Sequence, residues 1–393
     1  MSTIGETTID ALLDGAVEQG ALQGVTAVAA TRDAVVYEGG FGTLADGGPA
    51  VEPQTPVRIA SMTKALTTVG LLQLIERGTA RLDDPVASVI PAFGDLPVLE
   101  GFDAEGAPVL REPASQATIR QLLCHTAGHG YHFLNADLTR YHEVTGLPDA
   151  LSAQREFLRA PLVNDPGTVW EYGINTDWAG QVVEALSGQT LDAYLQEHLF
   201  DPLAMSSTTF SPDVEYLERT MAIHQRLEDG SLVPNGIEWP EDPEVRCGGH
   251  AAFSTAGDYC RFMRALLRGG ELDGQRILDA ATVEEAFTDQ LGGIALPEII
   301  ESANPLLSND VPSAPFPQSW GLGFHLTLAD LPGMRSHGTG DWAGLANCYF
   351  WIDRASGVCG AILTQVLPFF DERIVGTALQ FEAAVYAQVG SAG

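Results

Sequence analysis

Lysine is almost missing from this chain. Of 20 basic residues, 19 are arginine and one is lysine, Lys64. Positive charge is scarce altogether: 52 acidic residues leave a net charge of −32 over 393 residues. Such a surface repels polyanions, which excludes nucleic acid and anionic membranes as partners. No run approaches the roughly 20 apolar residues that a bilayer crossing needs. The first 24 residues hold acids, no basic flank and no apolar core, so no secretory signal is expected there. The five cysteines are odd in number and form no C-x-x-C pair, which speaks against a disulfide framework or a zinc site. A reducing, cytoplasmic setting is the expectation. The G-x-S-x-G of an α/β-hydrolase elbow is also missing.

What is present is a globular composition, 45% hydrophobic and 18% charged. The length suits one large domain or two closely packed ones. Apolar periodicity predicts a helix over 7–20, strands over 25–30 and 34–37, and a buried helix over 61–77. The middle of the chain reads as helices (119–124, 149–158, 177–186, 191–199) between proline-rich loops. A helix over 254–267 follows, then a long surface loop over 292–316. Strands are expected over 321–328, 345–352 and 358–365, and a closing helix over 372–389. Strands at both ends with helices between them predict an α+β fold with a mostly antiparallel sheet covered by the terminal helices.

The single lysine carries the chemistry. Arginine keeps its proton in a protein, whereas a lysine amine can switch protonation state. Lys64 stands three residues after Ser61, in Arg58-Ile-Ala-Ser-Met-Thr-Lys64. With 18 serines in the chain, chance alone gives that spacing about one time in twenty. On a helix, positions i and i+3 share a face, so the amine can reach the hydroxyl. A serine hydroxyl needs such a neighbour to act as a nucleophile. Free N–H groups at the helix start favour the developing alkoxide.

Ser61-Met-Thr-Lys64 and the apolar helix behind it resemble the first motif of the serine β-lactamase and penicillin-binding-protein superfamily. The likeness is closest to class C enzymes and the related family-eight carboxylesterases. Four further segments agree, in the family's order. Leu122-Leu-Cys-His-Thr-Ala-Gly128 resembles its H-T-S-G turn, and Trp170-Glu-Tyr-Gly-Ile-Asn175 the segment bearing the catalytic tyrosine. Gly248-Gly-His-Ala-Ala-Phe-Ser-Thr-Ala-Gly-Asp258 resembles the re-entry into the sheet. Asp341-Trp-Ala-Gly-Leu-Ala-Asn-Cys-Tyr-Phe-Trp-Ile-Asp353 resembles the third-motif strand.

The resemblance implies a β-lactamase/transpeptidase-like fold, with residues 1–80 and 250–393 as the sheet domain and 81–249 as an inserted, mainly helical domain. The active site would lie between them. Ser61 would be the nucleophile, Tyr172 the general base, and Lys64 the group that holds the phenol in its anionic form. The backbone N–H groups of Ser61 and Leu345 would form the oxyanion hole. Trp342, Ala343, Gly344 and Asn175 would contact substrate, the tryptophan ring mattering less than its backbone neighbours.

The departures set the substrate. The family's K-T-G lysine, which holds a substrate carboxylate, has no counterpart, because the one lysine is already used. Trp342-Ala-Gly344 stands there instead, and Ile174 occupies the position two after the tyrosine. Both changes favour carboxylic esters over β-lactams, and the resemblance implies short or compact acyl groups. A carboxylesterase acting on a small-molecule ester is the expectation; a β-lactamase, D-peptidase, amidase or acyltransferase is the alternative, and a non-catalytic scaffold ranks last. No cofactor or metal is expected, since Gly128 and Gly130 keep His125, His129 and His132 off one helical face. No oligomeric state is read from the sequence.

Overall fold

The computed structural model describes residues 8–237, 240 and 243–391. Its centre is a seven-stranded antiparallel sheet. The strands are β1 (Gly24–Thr31), β2 (Val35–Gly42), β3 (Gln318–Trp320), β4 (His325–Thr327), β5 (Thr339–Gly344), β6 (Cys348–Asp353) and β7 (Val358–Leu363). Their spatial order is β3-β4-β5-β6-β7-β1-β2. Pairing of β1 with β7, Thr26 opposite Leu363 through Thr31 opposite Val358, joins the two ends of the chain into one sheet.

The period-two alternation of β1 feeds two apolar layers. Val25, Ala27 and Ala29 face α1 (Ile9–Glu18) and the final helix Glu372–Ser391, in a cluster with Trp351, Ile362 and Phe381. Val28 and Ala30 face the larger core, which includes Phe262 of the helix Ala256–Leu267. Strand β1 is therefore buried on both faces, as its almost unbroken apolar run requires. The helix Thr63–Glu76, here α2, is buried at every position from Thr63 to Leu74. It packs against α3 (Asn175–Ser187). No helix among the described residues is long and apolar enough to cross a membrane.

Several expected elements are broken in the structure. Of the strand expected over 321–328 only 325–327 forms, as β4; residues 321–324 are the turn from β3, in which Gly321 N–H bonds Phe324 O and Gly323 takes φ 78°. The strand expected over 345–352 begins at Cys348, since Asn347 adopts φ 56° and its side-chain amide donates to Val366 O and Pro368 O. The helix expected over 149–158 is two 3-10 turns, Ala150–Ser152 and Arg155–Arg159, parted by Ala153 at φ 51°. The middle of the chain also holds two small hairpins, Val98–Phe102 with Pro108–Arg111 and His224–Arg226 with Leu232–Pro234. A helix, Ala136–Thr145, occupies a stretch read as loop. The segment 292–316 has a two-residue ladder, Ile299–Ile300 against Val311–Pro312, and one bridge from Ser308 to Phe369.

The division at residues 80 and 250 stays a proposal. All seven strands of the sheet lie outside 81–249, yet one apolar core runs from Leu66 and Leu72 of α2 to Val182 and Val183 of α3 across that boundary.

Candidate active site

Ser61 sits in a 3-10 turn, Ala60–Met62, that leads directly into α2. The residue before it, Ala60, takes φ 43°, a conformation costing an alanine roughly 1–2 kcal/mol and kept only where surroundings enforce it. Thr63 Oγ1 donates to Ala60 O at 2.6 Å, and Tyr259 OH donates to Met62 O at 3.0 Å. The turn is thus pinned on both sides, which fixes where the Ser61 hydroxyl points.

Lys64 is 1% exposed. Its ammonium has three donors and finds three acceptors: Ser61 Oγ at 3.2 Å, Tyr131 OH at 3.0 Å and Gly249 O at 2.8 Å. Two tyrosine rings flank it, that of Tyr172 at 4.7 Å and that of Tyr131 at 5.1 Å. The Tyr131 phenol lies between Lys64 and the buried Asp177, to whose Oδ2 it donates at 3.4 Å. Burial first, and the Asp177 charge second, push the Tyr131 phenol well above its usual value, so it keeps its proton. Asp177 Oδ1 accepts from Gly249 N–H at 3.0 Å, closing a ring of contacts around the amine.

Tyr172 reaches the same place from the segment 170–174. Glu171 N–H bonds His125 O at 2.8 Å. Gly173 passes so near the loop before Tyr131 that a Cβ there would stand 2.3 Å from His129 O. The Tyr172 ring packs on His125 at 4.9 Å and on Trp342 at 5.0 Å, and its phenol oxygen accepts the Trp342 indole N–H at 2.9 Å. The tryptophan ring, expected to matter less than its backbone neighbours, holds the phenol of Tyr172. Burial and the Lys64 charge push His125 well below its usual value, so its neutral ring can meet the Asn175 amide at 3.0 Å.

Gly344 closes the site from the sheet side. A Cβ on it would lie 2.3 Å from Ile59 O, so only glycine lets β5 come this close to the Ser61 turn. Leu345 follows at once and lines two cavities together with Ser61. The larger is about 300 Å3 and is walled by Trp170, Tyr172, Trp320, Trp342, Leu296 and Ile300, with Ala343 and Gly344 on the strand side. The smaller, about 50 Å3, reaches Arg58, Tyr131 and Leu307.

One expected site residue lies elsewhere. Asn175 is fully buried and donates its amide to the His125 ring, His129 O and Glu171 O, so it braces the tyrosine segment from beneath instead of meeting substrate. Two residues were missed, Tyr131 and Asp177. The available signal for Asp177 was a carboxylate on a helix whose neighbours Trp178, Ala179, Val182 and Val183 are apolar; Tyr131 carried none.

Asp177, Cys247 and His250 also bring their ligating atoms within 4.8 Å of one another, the one such trio found among the described residues. Both Asp177 oxygens already accept protein hydrogen bonds, as above, and Cys247 Sγ lies 3.6 Å from Val245 O. All five cysteines are buried and unbridged.

The Beta-lactamase family model matches residues 9–385. The chain is 35% identical over 355 residues to a monacolin J acid methylbutanoyltransferase of Aspergillus terreus, covering 86% of this chain and 84% of that one. It is 31% identical over 345 residues to a lovastatin esterase of Penicillium rubens, covering 84% of each. The structure superposes on a simvastatin synthase from Aspergillus terreus (the LovD6 mutant) with a TM-score of 0.85 and 30% identity, over 98% of this chain and 95% of that one. A serine–lysine pair on a helix start, a sheet strand drawn against it by a glycine, and this agreement along almost the whole chain identify the protein as a member of the Beta-lactamase family, with the fold of its serine acyl-transferring enzymes.

Proposed function

We propose that the protein transfers the acyl group of a carboxylic ester through a Ser61 acyl-enzyme, to an alcohol held in the large cavity or, when none is bound, to water. The observation that carries this is the convergence of Lys64 Nζ on Ser61 Oγ at 3.2 Å beside Tyr172, whose phenol oxygen is held by Trp342 on the wall of an aromatic cavity.

Lys64 donates to the Ser61 oxygen, so the serine's own proton needs a different acceptor. The Tyr172 oxygen, which accepts the indole N–H of Trp342 and whose ring lies 4.7 Å from the Lys64 ammonium, is the group we assign to it. Ser61 Oγ bonds to the ester carbonyl carbon as its proton passes to Tyr172. The carbonyl oxygen takes the negative charge and is held by the N–H groups of Ser61 and Leu345; each such donor is worth about 3 kcal/mol. The carbon–alkoxide bond then breaks, and the leaving alkoxide takes the proton from Tyr172. In the second half the acceptor hydroxyl gives its proton to Tyr172, attacks the acyl carbon, and Ser61 leaves with that proton. Tyr131, which keeps its own proton, steadies Lys64 through both halves.

An alcohol as acceptor is favoured by the apolar wall of the large cavity, whose aromatic rings place an organic acceptor in the space that water would otherwise fill. The methylbutanoyltransferase and esterase among its relatives accord with both outcomes. Plain ester hydrolysis is the second reading, supported by the esterase relative. Catalysis in the cytoplasm belongs to the same proposal, supported by five buried, unbridged cysteines. The deciding experiment follows nitrophenol release from p-nitrophenyl butyrate with and without added bulky alcohols, for wild type and Ser61→Ala. The proposal expects release that depends on Ser61 and a butyrate ester of the alcohol among the products. Equal release by the variant would contradict it.

A further inference from the structure

Arg58 stands apart from every other arginine. Among the described residues, each of the others is either solvent-exposed or bonded through its guanidinium to a carboxylate, a carbonyl or an amide oxygen. Arg58 is neither. It is half-buried, its Nε is buried without a hydrogen-bond partner, and among the described residues its guanidinium meets the face of Phe253 at 5.2 Å. In a chain with 52 acids and 20 bases, a half-buried guanidinium with no carboxylate on it among the described residues is open to an anion from outside. Burial accordingly pushes its guanidinium below its ordinary value.

The position says what that anion belongs to. Arg58 lines the small cavity, and Ser61 and Leu345 line it too. At about 10–15 Å3 per water-sized group, a cavity of about 50 Å3 holds roughly four heavy atoms, whereas about 300 Å3 holds some twenty or more. The acyl group stays on Ser61 while leaving group and acceptor exchange, so it suits the small cavity, and the exchanging partners suit the large one. Building on the acyl-enzyme proposed above, we infer that Arg58 selects an acyl group ending in a carboxylate, as in a half-ester of a short dicarboxylic acid. The K-T-G lysine that the sequence lacks would then have a substitute in the cavity that Ser61 and Leu345 share. A planar guanidinium can take both carboxylate oxygens at once.

The test compares kcat/KM for monoethyl succinate with that for its neutral isostere ethyl succinamate, followed by ethanol release. The expected result is a wild-type preference for the half-ester of about tenfold or more, a ratio falling to near one in Arg58→Gln, and a ratio partly kept in Arg58→Lys. A wild-type ratio at or below one, or one unmoved by Arg58→Gln, would overturn the inference. A second readout needs no variant: succinate should inhibit wild-type turnover of ethyl butyrate well below the concentration at which succinamide does, and equal inhibition would also overturn it. Ethyl butyrate separates the two levels. If it acylates Ser61 while the ratio stays at one, only the role of Arg58 falls; if no ester acylates Ser61, both fall.

Discussion

The indole nitrogen of Trp342 donates a hydrogen bond to the phenol oxygen of Tyr172 at 2.9 Å. This joins β5 to the segment that carries Tyr172, and gives the phenol that we propose as the base a hydrogen-bond donor. Replacing Trp342 with Phe keeps an aromatic ring in the cavity wall but removes the donor. A hydrogen bond to a charged group is worth about 1.5–3 kcal/mol. Trp342→Phe should therefore lower kcat about ten- to a hundredfold, with KM and thermal midpoint little changed. Steady-state kinetics on p-nitrophenyl butyrate check this, and a loss confined to KM would point to simple packing.

Tyr131 holds Lys64 at 3.0 Å and faces Asp177. Tyr131→Phe leaves one ammonium proton and one carboxylate oxygen without this partner. About 1–3 kcal/mol of stability should go with it, and kcat should fall, because the ammonium beside Ser61 loses one of its three partners. A lowered midpoint with an unchanged kcat would make Tyr131 structural only.

Gly344 brings the sheet close to the Ser61 turn, with a virtual Cβ 2.3 Å from Ile59 O. Gly344→Ala must push β5 away from Ser61 and carry the Leu345 N–H with it. Displacing one oxyanion donor costs about 10²–10³ in rate, and overpacking costs about 1–3 kcal/mol in stability. Labelling of Ser61 by a fluorophosphonate should slow to match; unchanged labelling would show that the Leu345 N–H plays no part.

His129 is fully buried between Phe93 and Trp178, with neither ring nitrogen hydrogen-bonded among the described residues. Burial lowers its pKa from 6.5 to about 3. Below 6.5 the unfolded chain takes up a proton that the folded chain refuses until about 3, so this residue's stability contribution falls as pH drops through that window. His129→Leu should flatten the dependence of the thermal midpoint on pH across it, by one proton's worth. An unchanged slope would mean that other groups set the acid limit.

Much of this site is legible in the sequence, for a physical reason. Ser61 and Lys64 are three residues apart on one helix, so local geometry alone brings them together, and the lone lysine marks the pair. The terminal strands follow from short apolar runs between turn residues, and the antiparallel sheet from their place at both ends of the chain. What the sequence hides is long-range or conformational. Tyr131 and Lys64 are 67 positions apart in sequence, and no periodicity ties them. Asn175 has the place of a substrate contact in the motif, yet its amide is spent on His125 and two carbonyls. The turns at Gly323 and Asn347, where φ is positive, cut the expected strands, because an apolar run does not reveal such a break. Arg58 carries no signal in the sequence, because its lack of a carboxylate among the described residues belongs to the fold.

The most direct measurement is rapid-quench mass spectrometry of the protein mixed with p-nitrophenyl butyrate, followed by peptide mapping. The account predicts one butyryl group on the peptide holding Ser61, formed before steady state and absent in Ser61→Ala. Turnover without any such adduct, or an adduct on a different residue, would contradict it.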